Sequence, residues 1–306
     1  MRSTQMNSPV ASATNRSLAA CLAVLLCLAV VDAAHGQPSA ASTRWRKQQL
    51  LIPAATPKVQ MITSVLLPSG RAPYPLAVIN HGTTESEELR AAYSEPNFEV
   101  ASSWLLEHGF AVALPQRPGH GDTAGPYLET AHGCDNARYE DAGHATADSI
   151  DAVITHLARE PYVKKQPVLL VGHSAGAWGA LALASRRAGI AAVINFSGGR
   201  GGRAAGVANR NCAPDRLTGA AASFGSTSRL PTLWLYSQND SYFGSGLSRR
   251  MADAYRSAGG RADYRLLPAI ADEGHYLIYS QEAVRHWGPI VEKFLGGVHR
   301  AEARPR

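Results

Sequence analysis

From residue 59 onward, short apolar runs alternate with longer stretches whose apolar positions recur at three- and four-residue intervals. The first kind predicts strands and the second predicts helices. Residues 59–67 alternate as a strand and end on Pro68-Ser69-Gly70, a turn. Residues 76–79 are a wholly apolar strand. Residues 98–108 carry Val100, Trp104 and Leu105 at helical spacing and stop at Gly109, a C-cap signal. Further strands are expected at 110–114, 168–171, 191–196, 233–236 and 264–267. Further helices are expected at 137–159, 175–188, 247–258 and 281–295. Continuously apolar strands belong to a sheet covered on both faces, as parallel sheets are. Their alternation with helices predicts an α/β fold of three layers around a mostly parallel sheet.

Two stretches break the alternation. Residues 115–136 are rich in Gly, Pro and His, and residues 197–230 open on Gly198-Gly199-Arg200-Gly201-Gly202-Arg203 with little periodicity. Each follows the C-terminal end of a strand, where open parallel sheets build their sites.

The first 36 residues carry a different pattern. Arg2 and Arg16 precede an apolar run of 14 residues, 18–31, followed by Ala33, Ala34, His35 and Gly36. This is the layout of a secretory signal peptide, with cleavage expected after Gly36 and Ala34 at the −3 position. The run is short of the ~20 residues a membrane span needs, so no stable membrane anchor is expected after cleavage. Leu18-Ala19-Ala20-Cys21 imitates a lipoprotein box, but its apolar run lies after the cysteine rather than before it. Residues 37–58 are expected to be a tether or edge segment, and 59–306 a single catalytic domain.

Composition narrows the picture further. The chain has 306 residues, 45% hydrophobic and 18% charged, which excludes a disordered chain. Its formal charge is +6, without a Lys/Arg run of the kind that binds nucleic acid, so no nucleic-acid partner is expected. Oligomeric state leaves no trace in the pattern. Of the four cysteines, Cys21 and Cys27 lie in the signal segment. The remaining pair, Cys134 and Cys212, is expected to form one disulfide joining the two long loops, as an even count in an exported protein suggests.

Candidate chemistry centres on Gly172-His173-Ser174-Ala175-Gly176, a G-x-S-x-G between an expected strand and an expected helix. A strand-to-helix turn this sharp requires small residues on either side of the serine and lifts its hydroxyl clear of the sheet. A serine needs a base, and in this arrangement the chain order is Ser, acid, His. Asp240 follows the expected strand 233–236, and His275 follows 264–267 and a short loop. Asp272 shares the loop of His275 and is expected to cap the turn at Gly274. Oxyanion donors are expected at the backbone N–H of Ala175, at the helix start, and of Thr83, after His81-Gly82. His120, Asp122, His132 and His144 match no ligand spacing, so no metal is expected. No phosphate-loop lysine follows a glycine run. The Gly198–Gly202 run lacks the acidic partner of a dinucleotide site, so no cofactor is expected either.

With His81-Gly82, Arg117-Pro118-Gly119-His120-Gly121, Gly172-His173-Ser174-Ala175-Gly176, Asp240 and Gly274-His275 in place, residues 59–297 resemble the α/β-hydrolase superfamily. Within it the chain is similar to the dienelactone-hydrolase-related serine hydrolases. The resemblance implies a mostly parallel sheet of about eight strands, helices on both faces and no metal or organic cofactor. Dienelactone hydrolases use a cysteine nucleophile, whereas this chain has Ser174, which favours ordinary carboxylic esters. The expected function is therefore an exported, periplasmic or extracellular serine esterase acting on a small-molecule ester. A peptidase or amidase on the same fold, and a non-catalytic binding protein on a hydrolase scaffold, are the alternatives.

Overall fold

The computed structural model describes residues Trp45–Glu302. The expected signal peptide lies outside the described residues.

Eight strands form one sheet, in the order β1-β2-β4-β3-β5-β6-β7-β8. They are β1 (Trp45–Pro53), β2 (Gln60–Pro68), β3 (Leu76–Asn80), β4 (Ala111–Pro115), β5 (Val168–His173), β6 (Ile190–Phe196), β7 (Pro231–Ser237) and β8 (Arg261–Leu267). β1 and β2 run antiparallel, β2 is antiparallel to β4, and every pairing from β4 to β8 is parallel. The central strands β3, β4 and β5 are buried at every residue, as their unbroken apolar sequence requires.

Among the described residues seven α-helices connect or flank the strands: α1 (Glu87–Ala91), α2 (Glu99–Glu107), α3 (Tyr139–Leu157), α4 (Ala175–Ala184), α5 (Pro214–Thr227), α6 (Ser245–Ser257) and α7 (Val284–Glu302). They divide the core in two. One apolar cluster joins the sheet to α3, α4, α5 and α6, through side chains such as Trp178, Leu217 and Met251. The other joins the opposite face to α2 and α7, through Leu105, Trp287 and Val291. α4 is apolar around its whole circumference and buried at all ten positions, the expected fate of a helix without a polar face.

Two segments differ from their sequence reading. Within 37–58, residues Trp45–Pro53 form β1, which pairs along its full length with β2 at the sheet edge. Of its apolar residues Trp45, Leu50, Leu51 and Ile52, only Ile52 is fully buried, so the strand is built by backbone pairing more than by burial. Within 197–230, residues Pro214–Thr227 form α5. Its buried positions, Leu217, Ala220, Ala221 and Phe224, keep helical spacing, but two are alanines and register weakly as an apolar stripe. The segment between β4 and α3 is loop throughout. Cys134 in that loop is disulfide-bonded to Cys212, just before α5, with the Cα atoms 4.9 Å apart. Tyr139 at the start of α3 donates its hydroxyl to the Cys212 carbonyl, so the bridge is also anchored to a helix.

Candidate active site

The loops above the C-terminal ends of the parallel strands gather the residues singled out from sequence. Ser174 sits between β5 and α4 with φ 54° and ψ −122°, a left-handed backbone that a non-glycine residue adopts only under constraint. Its neighbours explain how the turn closes. A Cβ on Gly172 would lie 2.4 Å from the Ala177 nitrogen, and one on Gly176 would lie 2.2 Å from the Asn80 carbonyl oxygen. The serine therefore takes the strained position while the glycines let the backbone pass. Ser174 N–H donates to the Phe196 carbonyl at 3.0 Å, which ties the turn to β6.

Asp240 follows β7 and is 1% exposed. Its Oδ1 accepts the backbone N–H groups of Tyr242 at 2.8 Å and Phe243 at 2.9 Å. Both carboxylate oxygens lie 3.2 Å from His275 Nδ1. Burial works to raise the Asp240 pKa, but the His275 hydrogen bond and charge and the two amides prevail and hold it below the usual carboxylate range. The carboxylate is thus ionised and accepts Nδ1–H, which leaves the Nε2 lone pair of His275 free to take a proton.

His275 lies in a 3-10 segment, Gly274–Tyr279, after β8. Its backbone is held at both ends: its N–H donates to Glu273 Oε1 at 3.0 Å, and its carbonyl accepts from His173 Nε2 at 3.0 Å. Glu273 Oε1 also accepts the Ser241 N–H at 3.0 Å, so one carboxylate ties the acid loop to the histidine loop. The Tyr242 ring stacks on the His275 imidazole with centroids 4.0 Å apart and planes at 20°. Asp272 is exposed, and the capping expected of it falls to Glu273 instead, whose side chain accepts the His275 N–H. Among the described residues Ser174 Oγ makes no hydrogen bond to His275.

Across from the serine, the turn after β3 runs over the elbow. A Cβ on Gly82 would lie 3.2 Å from Ser174 Cβ and 3.7 Å from its Oγ, so this turn packs tightly against the serine. Among the described residues, the Thr83 and Ala175 N–H groups donate to no acceptor. Thr83 Oγ1 lies 2.6 Å from His120 Nε2. His120 Nδ1 faces the carbonyls of Arg117 and Pro118, so it is the donor there, and Nε2 accepts the threonine hydroxyl. Burial, reinforced by the Arg117 charge, lowers the His120 pKa to about 4. His81 is likewise neutral, its pKa held well below the ordinary value by burial and then by Arg117. His173 is pushed down to about 3 by burial and the neighbouring His275. Among the described residues no three His, Cys, Asp or Glu side chains converge as a metal ion would require.

Sequence reading missed several contributors. Arg117, Glu129 and Arg200 form a fully buried ionic cluster beneath these loops. The Arg117 and Gly198–Arg203 motifs were visible, but no local pattern pairs an arginine with a carboxylate many residues away. His173 was equally hidden, since it reaches the His275 carbonyl across 102 residues, whereas Glu273 and Tyr242 act on His275 and Asp240 partly from two residues away, as a local cap could have suggested.

Comparison with known proteins agrees with this architecture. Residues 76–301 match the alpha/beta hydrolase family. No curated protein matches the chain. Among solved structures, the Pyrococcus furiosus esterase Pf2001 superposes with a TM-score of 0.60 at 14% identity, over 82% of this chain and 92% of that one. A Klebsiella pneumoniae protein assigned as a dienelactone hydrolase superposes with a TM-score of 0.54 at 15% identity, over 82% and 98%. The Pyrococcus horikoshii acylaminoacyl peptidase gives 0.61 at 11% identity, over 83% of this chain but 42% of that one. With its eight-stranded sheet, its strand order and a family match spanning most of its length, the chain belongs to the alpha/beta hydrolase family.

Proposed function

We propose that this hydrolase is an exported serine esterase that cleaves carboxylic esters of small molecules through an acyl-enzyme. The observation that carries the reading is the ionised, buried Asp240 on His275 Nδ1, set on loops beside a serine held in a strained elbow.

The reaction follows from the roles those atoms can take. His275 Nε2 accepts the proton of Ser174 as Oγ attacks the acyl carbon, and Asp240 stabilises the imidazolium and keeps its orientation. Negative charge develops on the former carbonyl oxygen, where the N–H groups of Thr83 and Ala175 donate to it. Donors of this kind are worth about 3 kcal/mol each by deletion. The intermediate collapses as His275 passes its proton to the leaving alkoxide, which departs as the alcohol. Water then repeats the sequence with His275 as base, releasing the acid and restoring Ser174.

Esters are favoured over amides because an alkoxide leaves with less help than an amine. The peptidase neighbour keeps an amidase as second reading, and the present chain spans under half of that protein's length. Two experiments separate the readings. Labelling by a fluorophosphonate probe, lost in Ser174→Ala, is expected of a working serine hydrolase and not of an inert scaffold. A panel of p-nitrophenyl esters of graded chain length, with an aminoacyl anilide beside them, is expected to give turnover on esters. Turnover on the anilide alone would overturn the esterase reading. Export is supported by the signal-like first 36 residues and by the disulfide. N-terminal sequencing of the secreted chain tests it, with Gln37 expected first.

A further inference from the structure

Arg117 is fully buried, Glu129 and Arg200 are each 3% exposed, and all three are charged. Burying ions is costly unless each is paired and hydrogen-bonded, and here two cations share one carboxylate. Arg117 donates through Nε and Nη2 to the two oxygens of Glu129. Arg200 donates through Nη2 to Glu129 Oε2 at 2.9 Å and to Thr146 Oγ1 at 2.8 Å. Its Nη1 donates to the Glu129 carbonyl at 2.6 Å. One carboxylate therefore ties the loop after β4 to the glycine-rich loop after β6, and Arg200 extends the tie to α3 through Thr146.

The donor of Arg117 that Glu129 does not use points at the catalytic side. Nη1 donates to the His81 carbonyl at 2.8 Å. The Arg117 backbone N–H donates to His81 Nε2 at 3.2 Å, which leaves His81 Nδ1–H to donate to the Gly82 carbonyl at 2.6 Å. The next residue, Thr83, is held through its hydroxyl by His120, whose ring is fixed by the carbonyls of Arg117 and Pro118. These hydrogen bonds on the 81–83 turn thus lead back to Arg117 or its neighbour, beside a ring contact of His81 with Tyr93. The turn also packs close to Ser174, where a Cβ on Gly82 would stand 3.2 Å from the serine Cβ.

We propose that Arg117, clamped by Glu129 and Arg200, is the positioning residue of the oxyanion turn, fixing His81-Gly82-Thr83 so that the Thr83 N–H is preorganised beside Ser174. This rests on the esterase reading above. Preorganised donors stabilise a transition state because they need no reorientation as charge develops. The surplus positive charge of two guanidiniums against one carboxylate has the sign that favours an oxyanion nearby.

The test is Arg117→Lys, which keeps the charge but replaces the planar fork by one ammonium unable to span Glu129 and the His81 carbonyl. Misplacing a catalytic group by about 1 Å can cost ~100-fold, so kcat is expected to fall about 10- to 100-fold with KM changed less than about threefold. Affinity for an alkylboronic acid, which adds to the serine as a tetrahedral anion, is expected to fall by the same factor as kcat/KM. A purely structural arginine would lower the melting temperature and leave that affinity intact. Folded Arg117→Lys with kcat and boronate affinity like wild type overturns the inference. Should that variant not fold, Glu129→Gln, near-isosteric but neutral, is read in the same two assays with the same criteria. Wild-type protein that neither hydrolyses esters nor labels at Ser174 overturns the esterase reading and this inference with it. An active wild type with unaffected variants overturns the inference alone.

Discussion

At the scale of single residues, chemistry rests on where a proton can go. Ser174→Ala is expected to lower kcat by up to ~10⁶-fold with the fold intact. Measuring turnover and circular dichroism on the purified variant checks it, and substantial residual hydrolysis would move the nucleophile elsewhere. Asp240→Asn is expected to cost about 10⁴-fold in kcat, because the amide can hold the wrong tautomer of His275 even when geometry survives. Asp272→Asn is expected to change kcat little, since Asp272 is exposed and Asp240 is the carboxylate on Nδ1. Comparing kcat for the two variants decides between the acids, and the reverse ranking would transfer the role. That Ser174, Asp240 and His275 follow β5, β7 and β8 in that chain order was legible in sequence, because each lies in a segment after an apolar run; the roles given to them are the proposal. The part of His173 was not legible, because its ring meets the His275 carbonyl only in the folded chain; Glu273, two residues before His275, is masked in sequence by Asp272, which is expected to cap that turn.

At the scale of elements, the long loops are fixed from two sides, by the Arg117–Glu129–Arg200 cluster within and by the Cys134–Cys212 bridge. The bridged cysteines are 78 residues apart. In the chain-entropy account, closing a loop of that size stabilises by up to about 4–5 kcal/mol, and by less where the loops are already ordered. The double substitution Cys134→Ser with Cys212→Ser is therefore expected to lower the urea midpoint at unchanged fold. Equilibrium unfolding with and without reductant checks it, and a wild type indifferent to reductant would mean that the ionic cluster alone orders the loops. Strands of unbroken apolar sequence, β3 to β7, declared themselves in the sequence. β1 and α5 did not, because one gains its place through backbone pairing and the other packs with small alanines.

At the scale of the whole molecule, pH acts through buried neutral histidines. His120 and His173 have folded-state pKa values lowered to about 4 and about 3, and His81 is lowered too. Each binds a proton in the unfolded chain at about pH 6.5 but resists it when folded. Stability from each is thus fully present above about pH 6.5. It is lost as pH falls toward the folded-state value, at about 1.4 kcal/mol per pH unit. Glu129 and Asp240, whose folded-state values are depressed, extend the loss below the ordinary carboxylate range. Urea unfolding at steps from pH 7.5 to 4 is expected to show stability falling steadily, with a shallower slope for His120→Gln. A flat profile between pH 6.5 and 4.5 would show that these rings are not held neutral. The α/β plan was legible at this scale because alternation of strands and helices leaves few arrangements of layers. The buried charge cluster was not, because nothing local distinguishes Glu129 from a surface glutamate.

The disulfide also orders events in time. Ser174 lies inside the loop that Cys134 and Cys212 close, whereas Asp240 and His275 lie beyond it. Under the proposed export, a chain threaded out from its N-terminus presents both cysteines before Asp240 and His275. Under the proposed triad, the wall around Ser174 can then be sealed while the serine is still inert, and reactivity arrives only with the last two strands. A chain ending before β7 is thus expected to be covalently closed but inactive.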